Sequence, residues 1–171
     1  MKPDTESECL LHTPYFDVVK QGGYFIVKER QAINGVVAIP VLPDGRLMLA
    51  QLRRRAIGGQ SIEFPRGAID QGETACDAAA RELQEETGWP ARNVTQLGLL
   101  YSNTSLIASA VAVCRVDIEG DATESTDGEV DQVLFVTRQE LLAMITAGRI
   151  TDGHTLSAAM MLIAHEQAAP L

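Results

Sequence analysis

The sequence predicts a layered domain of the α/β class, in which short strands and a few helices share one core. Two observations lead to this expectation. Short apolar runs bounded by turn residues recur along the chain, and three other segments carry helical spacing. The length of 171 residues suits one domain, and 46% hydrophobic with 22% charged residues is an ordinary globular balance. We therefore expect residues 1–171 to form a single domain, with residues 1–12 loose.

The strands are predicted from turn residues and apolar runs. Apolar and polar residues alternate from Tyr15, and a Gly22-Gly23 turn separates this segment from a second apolar run, which predicts a hairpin within residues 13–30. The Pro43-Asp44-Gly45 turn predicts that the strand after it returns as the partner of the strand before it. The further predicted strands are 35–42, 46–52, 94–101, 109–118 and 132–136, with a short stretch at 62–64.

The clearest helix is predicted from about residue 74 to residue 87. Thr74 is a good N-cap, and Asp77 at the third helical position completes an arrangement like a capping box. Gly88 is the glycine expected after a helix end, and Pro90 prevents continuation. Two more helices are predicted at 138–147 and 156–167.

Composition excludes several classes of function. A net charge of −9 gives no general attraction for nucleic acid or for an anionic membrane, so neither is expected as a partner. Three cysteines without a CxxC pair and three histidines do not form a zinc motif, so any metal would be held by oxygen, as Mg²⁺ or Mn²⁺ is. The first residues lack the basic and apolar start of a signal peptide, and we expect a cytoplasmic protein.

Three glutamates share one face of the predicted helix. At 100° per residue, Glu82, Glu85 and Glu86 fall within roughly 100° of one another. Their mutual repulsion weakens a helix, and a divalent cation would remove that repulsion. The same charges are also typical of a solvated face, because Asp77, Arg81 and Glu85 have the spacing of a surface salt-bridge ladder. Helical spacing by itself leaves both interpretations open.

A longer motif surrounds these glutamates. Gly67 is followed by five residues and Glu73, and seven further residues lead to Arg81-Glu82-Leu83. Glu85-Glu86 and Gly88-Trp89 complete the pattern. Over these 23 residues, 67–89, the chain resembles the Nudix box at every defining position. The sequence is therefore similar to that of Nudix hydrolases.

The resemblance implies a Nudix α/β/α sandwich with a mixed sheet and a catalytic loop–helix–loop. It implies metal binding by Glu82, Glu85, Glu86 and the backbone carbonyl beside Gly67, with Mg²⁺ as the expected ion and Mn²⁺ as an alternative. Arg81 matches the arginine that orients these carboxylates, and Glu73 matches a glutamate that supports the loop or acts as an outer metal ligand. Such an ion would neutralise diphosphate oxygens and lower the pKa of a bound water.

The identity of the general base stays open at this stage. In some relatives it is a box glutamate such as Glu85 or Glu86, whereas in ADP-ribose pyrophosphatases it is a glutamate of a later loop. The acidic segment 120–128 and the residue after it offer Glu124 and Glu129, and Glu129 directly precedes a predicted strand, as in that branch. A solvated acidic loop is the alternative interpretation.

Flanking segments resemble the ADP-ribose and nucleoside-diphosphate-sugar pyrophosphatase branch. These segments are 51–53, 62–67, 139–141, 147–152 and 155–156, and similarity covers roughly residues 15 to 165. The resemblance implies hydrolysis of a nucleotide sugar to a nucleoside monophosphate and a sugar phosphate. It also implies a homodimer with exchanged N-terminal strands, in which the early hairpin takes part.

Candidate substrate contacts follow from the same segments. They are Arg53, Glu63 and Arg66, and arginine suits bidentate phosphate contact. Arg54 and Arg55 are expected to be a surface basic run.

Residues 101–107 lack the Ser-Pro-Gly-like turn and the glutamate usual in ADP-ribose enzymes, which leaves another nucleotide sugar open. A nucleoside triphosphate pyrophosphohydrolase and a non-catalytic Nudix binding module are the other candidate functions.

Overall fold

The computed structural model describes residues 7–29, 35–123 and 126–168. Its described residues form ten strands and three helices. The strands are β1 (Ser7–His12), β2 (Phe16–Gln21), β3 (Tyr24–Glu29), β4 (Gly35–Val41), β5 (Leu47–Arg54), β6 (Gly59–Glu63), β7 (Arg66–Ala68), β8 (Ala91–Leu100), β9 (Val111–Ile118) and β10 (Val130–Val136). The helices are α1 (Ala75–Thr87), α2 (Arg138–Thr146) and α3 (Gly153–Ala168).

The N-terminal strands form a separate antiparallel sheet in the order β1-β2-β3. The predicted hairpin is confirmed, and its turn glycines, Gly22 and Gly23, have φ of 58° and 85°. The expectation that residues 7–12 are loose was wrong, because they pair with β2. All six side chains of β1 are exposed, so no apolar alternation marked the strand. Residues 1–6, included in the same expectation, lie outside the described residues.

The main sheet is mixed, as the resemblance implies. Its order is β10-β5-β4-β9-β8, with β6 on β5 and β7 on β4, and β4 runs parallel to β9. The predicted β4–β5 hairpin is present only next to its turn, where Val41 pairs with Leu47. Beyond that pair the two strands separate, β4 to β9 and β7, and β5 to β10 and β6. This separation places β6 and β7, which carry Glu63 and Gly67, between the two halves of the sheet.

Alternate residues of β4 divide between two apolar clusters. Val36 packs in one cluster with Leu83 of α1, whereas Val37 and Ile39 pack in the other with Leu162 of α3. Since successive side chains of a strand point to opposite faces, helices cover both faces of the sheet. The predicted α/β/α layering is therefore confirmed.

Helix α1 begins and ends where the sequence predicts. The Thr74 side chain accepts a hydrogen bond from the Asp77 backbone N–H, and Gly88, at φ 77°, donates its N–H to Gln84 O. No helix among residues 7–29, 35–123 and 126–168 has the length and apolar character needed to cross a membrane.

Candidate active site

The glycine that begins the box lies against a carboxylate. Strand β7 pairs with β4 and brings Gly67 beside helix α1. A Cβ added to Gly67 would lie 2.1 Å from the Glu82 Cδ and Oε2 atoms. Any larger residue at position 67 would therefore displace the Glu82 carboxylate. Gly67 and Glu82, 15 residues apart in the sequence, therefore lie in direct contact.

Arg81 connects three carboxylates. Its guanidinium lies 3.0 Å from Glu73 Oε1, 2.8 Å from Glu82 Oε1 and 3.0 Å from Glu85 Oε2. It also donates to Ala68 O at 2.8 Å. The hydrogen bond with Glu73, followed by those with Glu82 and Glu85, raises the pKa of Arg81. We call Arg81, Glu73, Glu82 and Glu85 the Arg81 cluster; it holds one positive charge against three negative ones.

Glu86 is the buried carboxylate of the helix. It is 5% exposed, and its Oε1 accepts a hydrogen bond from the Arg66 backbone N–H at 3.4 Å. Burial raises the pKa of Glu86 to about 8, and the negative charges of Glu82 and Asp127 add to this effect. Burial also raises the pKa of Glu82, against the opposing effect of Arg81. A cation beside these carboxylates would favour their ionised forms.

The residue types fit a hard divalent cation. Carboxylate and carbonyl oxygens are the ligands of Mg²⁺, and a buried carboxylate with a raised pKa gains most from a nearby positive charge. Among the described residues, no three acidic, histidine or cysteine side chains are grouped closely enough to hold a metal. Arg81 holds Glu82 and Glu85, whereas Glu86 faces the Arg66 backbone. The ligand set Gly67, Glu82, Glu85 and Glu86 stays a prediction.

A second charged cluster has the opposite arrangement. Glu63 is 2% exposed and lies between two arginines, 2.7 Å from Arg54 Nη2 and 2.9 Å from Arg66 Nε. Arg66 Nη2 lies 3.8 Å from Asp152. Although burial opposes ionisation, hydrogen bonds from Arg54, Ser61 and Arg66 keep the pKa of Glu63 below its usual value. We call Glu63, Arg54 and Arg66 the Glu63 cluster; Asp152 adjoins it through Arg66.

The expected surface position of Arg54 was wrong. Its side chain is 29% exposed and is paired with a buried carboxylate, whereas Arg53 and Arg55 are exposed. Neighbouring residues of a strand point to opposite faces, so Arg53 and Arg54 diverge. The negative charges of Glu86 and Glu129 contribute to the raised pKa of Arg54, after the larger effect of Glu63. Arg54 therefore faces the same region as those two acids.

Helix α3 supports the Glu63 cluster through a chain of hydrogen bonds. Asp152 Oδ2 accepts from both the backbone N–H and the hydroxyl of Thr155, each at 2.8 Å. The Thr155 hydroxyl in turn accepts from the Phe64 backbone N–H at 3.0 Å. The sequence analysis missed this link, although an aspartate three residues before a threonine at a helix start is a capping signal.

The acidic loop places Glu129 directly before β10. Glu129 is exposed, and its backbone N–H donates to Asp127 Oδ1 at 2.9 Å. The following residue, Val130, pairs with Leu52 of β5, the strand that carries Arg54. The other candidate, Glu124, lies outside the described residues. Asp127 was not singled out in the sequence, yet its charge contributes to the raised pKa of Glu86.

Comparison with known proteins places this site in a family. The chain belongs to the Nudix family, since the family model described as NUDIX domain matches residues 33–159. The prediction of family is confirmed, and with it the predicted class of enzyme, a Nudix pyrophosphatase. A crystal structure of an ADP compounds hydrolase has a TM-score of 0.79 over 97% of this chain and 95% of that chain, at 20% identity. That likeness confirms the fold.

Several curated relatives share part of the sequence. The ADP-ribose pyrophosphatase of Bacillus subtilis is 25% identical over 132 residues, which are 75% of this chain and 71% of that protein. Putative nudix hydrolase 2 of Caenorhabditis elegans is 34% identical over 69% of this chain and 57% of its own length. The ADP compounds hydrolase NudE of Escherichia coli is 32% identical over 66% of this chain and 59% of its own length. The chain thus spans somewhat more than half of the latter two proteins.

Proposed function

We propose that this Nudix enzyme hydrolyses the diphosphate linkage of a nucleotide sugar of the ADP-ribose type. The products would be a nucleoside monophosphate and a sugar phosphate. The observation that carries the proposal is the position of Glu86, which adjoins both clusters: it lies near Glu82 of one, and it accepts a hydrogen bond from the Arg66 backbone of the other. An acid-rich region beside an arginine-rich region suits a diphosphate substrate that binds together with a metal ion.

The Arg81 cluster and Glu86 form the cation side of the proposed site. Glu82, Glu85, Glu86 and the carbonyl beside Gly67 would hold Mg²⁺, or alternatively Mn²⁺. When bound, the ion would stabilise charge on the diphosphate and lower the pKa of the attacking water. Arg81 would keep Glu82 and Glu85 in place while a substrate binds. Arg81 donates five hydrogen bonds, two to Glu73 and one each to Glu82, Glu85 and Ala68, and these leave its guanidinium little freedom to turn.

The Glu63 cluster forms the anion side. Buried Glu63 fixes the guanidinium groups of Arg54 and Arg66, and each keeps further N–H donors for phosphate oxygens. Because Glu63 is 2% exposed, it would act through these two arginines. Arg53, on the other face of β5, stays a candidate for a more distant part of the substrate.

Glu129 is the proposed loop base. It is exposed, its charge contributes to the raised pKa of Arg54, and the neighbouring Val130 pairs with Leu52; these observations support a position beside the arginine side. A base must reach the attacking water either directly or through one further water. Glu85 and Glu86 remain the alternative bases.

The names of the relatives support a nucleotide-sugar substrate. They include an ADP-ribose pyrophosphatase, an ADP-sugar pyrophosphatase of Mus musculus and an ADP compounds hydrolase. A GDP-mannose pyrophosphatase of Yersinia enterocolitica is 25% identical over 85% of this chain. Its name extends the candidate substrates to another nucleobase and another sugar.

The test is a panel of substrates assayed with Mg²⁺. ADP-ribose, ADP-glucose, GDP-mannose and deoxynucleoside triphosphates are compared, and the products are separated. We expect a monophosphate and a sugar phosphate, with ADP-ribose preferred. If the main activity is release of pyrophosphate from triphosphates, the protein is a nucleoside triphosphate pyrophosphohydrolase instead. No turnover of any compound would favour a binding module.

We also propose a single domain, a homodimer and a cytoplasmic location. Exposed apolar side chains on the N-terminal sheet, among them Leu11, Tyr24 and Phe25, support an interface there. The free thiols of Cys9 and Cys114 suit a reducing compartment. Light scattering would test the dimer, and a monomeric mass would contradict it.

A further inference from the structure

The end of helix α1 is joined to the acidic loop by backbone hydrogen bonds. Gly88 O accepts from the Thr123 backbone N–H at 2.8 Å and from the Thr123 hydroxyl at 3.1 Å. Glu85 O accepts from the Asp127 backbone N–H at 2.8 Å. The last carbonyls of a helix have no partner within the helix. Here residues on both sides of positions 124 and 125 satisfy them.

Gly88 is required at this junction for two separate reasons. Its φ of 77° lies in the left-handed region, where glycine is favoured and asparagine is also tolerated. In addition, a Cβ on residue 88 would lie 2.4 Å from the Thr123 carbonyl oxygen. The first requirement ends the helix, and only the second concerns the loop. Asparagine at position 88 would meet the first requirement and violate the second.

Asp127 extends this junction towards the candidate base. Its backbone is bonded to Glu85, and its Oδ1 accepts from the Glu129 backbone N–H at 2.9 Å. A cavity of about 540 Å³ opens between the helix and the loop. It is lined by Arg81, Gln84, Glu85, Thr123, Thr126 and Asp127. Two hydrogen bonds through Asp127 therefore connect Glu85, a predicted metal ligand, to Glu129, the predicted base.

We propose that Gly88, Thr123 and Asp127 are positioning residues that dock the acidic loop onto the catalytic helix. Docking would hold Glu129 at a fixed distance from Glu82, Glu85 and Glu86. The inference rests on the proposed function in one respect, namely that Glu129 takes part in the reaction. The docking itself depends only on contacts among described residues.

Substitutions at Thr123, Asp127 and Gly88 test the docking. Thr123→Val removes the hydroxyl contact, and Thr123→Ser restores it. Asp127→Ala removes the side-chain acceptor for Glu129, whereas Asp127→Asn keeps an oxygen there and removes only the charge. Thr146→Val is the matched control, because it deletes a hydroxyl bonded to a helix carbonyl, Leu142 O at 2.9 Å, in the exposed part of α2.

We expect Thr123→Val and Asp127→Ala to lower kcat about 10-fold with little change in KM, since small displacements of reacting groups are costly. Thr123→Ser, Asp127→Asn and Thr146→Val should stay near wild type. Gly88→Asn should speed amide hydrogen exchange at Thr123 and Asp127 about 10-fold or more, because both hydrogen bonds would open. Unchanged exchange in Gly88→Asn together with unchanged kcat in Thr123→Val would overturn the docking.

The outcomes separate this inference from the proposed function. If the wild-type enzyme turns over no nucleotide sugar, the proposed function fails, while the exchange rates still decide whether the loop is docked. If turnover is normal but Asp127→Asn loses as much activity as Asp127→Ala, then the Asp127 charge matters and the positioning role is wrong.

Discussion

The two charged clusters of the site are opposite in composition. The Arg81 cluster places one cation among three carboxylates, whereas Glu63 is one carboxylate between two arginines. Glu86 lies beside both. Under the proposed function the first region would attract a cation and the second an anion, so that a chain with a net charge of −9 could bind a polyanionic substrate. The comparison teaches that local charge around a site can differ from the net charge of the chain.

The largest expected effect comes from the cation side. Glu86→Gln keeps the shape of the side chain and removes its charge, so kcat should fall on the order of 10³-fold. Without metal the same variant should be at least as stable as wild type, because a buried carboxylate next to other acids is costly. Steady-state kinetics with Mg²⁺ and denaturant unfolding in chelator provide the measurements.

Glu119→Gln is the control for that substitution, since Glu119 is 66% exposed in an ion pair with Arg92. It should leave kcat unchanged. Near-normal activity in both Glu86→Gln and Glu85→Gln would contradict the metal assignment.

The second largest effect is expected for a substitution on the anion side. Glu63→Gln leaves Arg54 and Arg66 without their buried partner, so the free energy of unfolding should fall by about 3–5 kcal/mol. We expect kcat/KM to fall about 100-fold, because both guanidinium groups lose their orientation. Asp44→Asn, which breaks the exposed pair with Arg46, should leave both quantities close to wild type. Equal effects of the two substitutions would show that Glu63 has no special role.

A paired substitution on β5 would sharpen the assignment of the anion side. Arg54→Ala should raise KM about 10- to 100-fold, the usual value of a charge-assisted hydrogen bond to phosphate. Arg53→Ala should raise it less, because Arg53 is exposed on the other face. KM values for one nucleotide sugar decide between them. A larger effect of Arg53→Ala would make Arg54 a purely structural partner of Glu63.

The smallest effect is expected for Asp152, at the edge of the anion side, and it concerns the free energy of unfolding. Burial opposes ionisation of Asp152, but the His154 ring at 3.8 Å, hydrogen bonds from Thr155 and the charge of Arg66 lower its pKa below 3.8. A lowered pKa means that the ionised group stabilises the fold above that value and that this contribution is lost as the pH falls further. Asp152→Asn should therefore cost about 1–3 kcal/mol near neutral pH. Unfolding measured across acidic pH should show the deficit narrowing, and a deficit that widens on acidification would contradict the assignment.

The sequence by itself determined helix α1 and the box around it. Thr74, Asp77 and Gly88 act through hydrogen bonds within a few residues, so their positions in the sequence predict where the helix begins and ends. The Arg81 cluster spans only residues 73–85, and its contacts follow from a short loop and helical spacing. The continuous apolar run at 35–42 likewise predicted a strand. Local order along the chain was sufficient for these features.

The contacts that build the anion side depend on the tertiary structure alone. Arg54 meets Glu63 because β5 pairs with β6, and Phe64 meets Thr155, 91 residues later, because α3 packs on the sheet. Nothing in the run Arg53-Arg54-Arg55 shows which arginine turns inward. Helical spacing placed Glu86 beside Glu82 and Glu85 but could not show that it alone is buried, since burial depends on what packs against the helix. Strand β1 was missed for a related reason: its pairing with β2 leaves no buried face to read in the sequence.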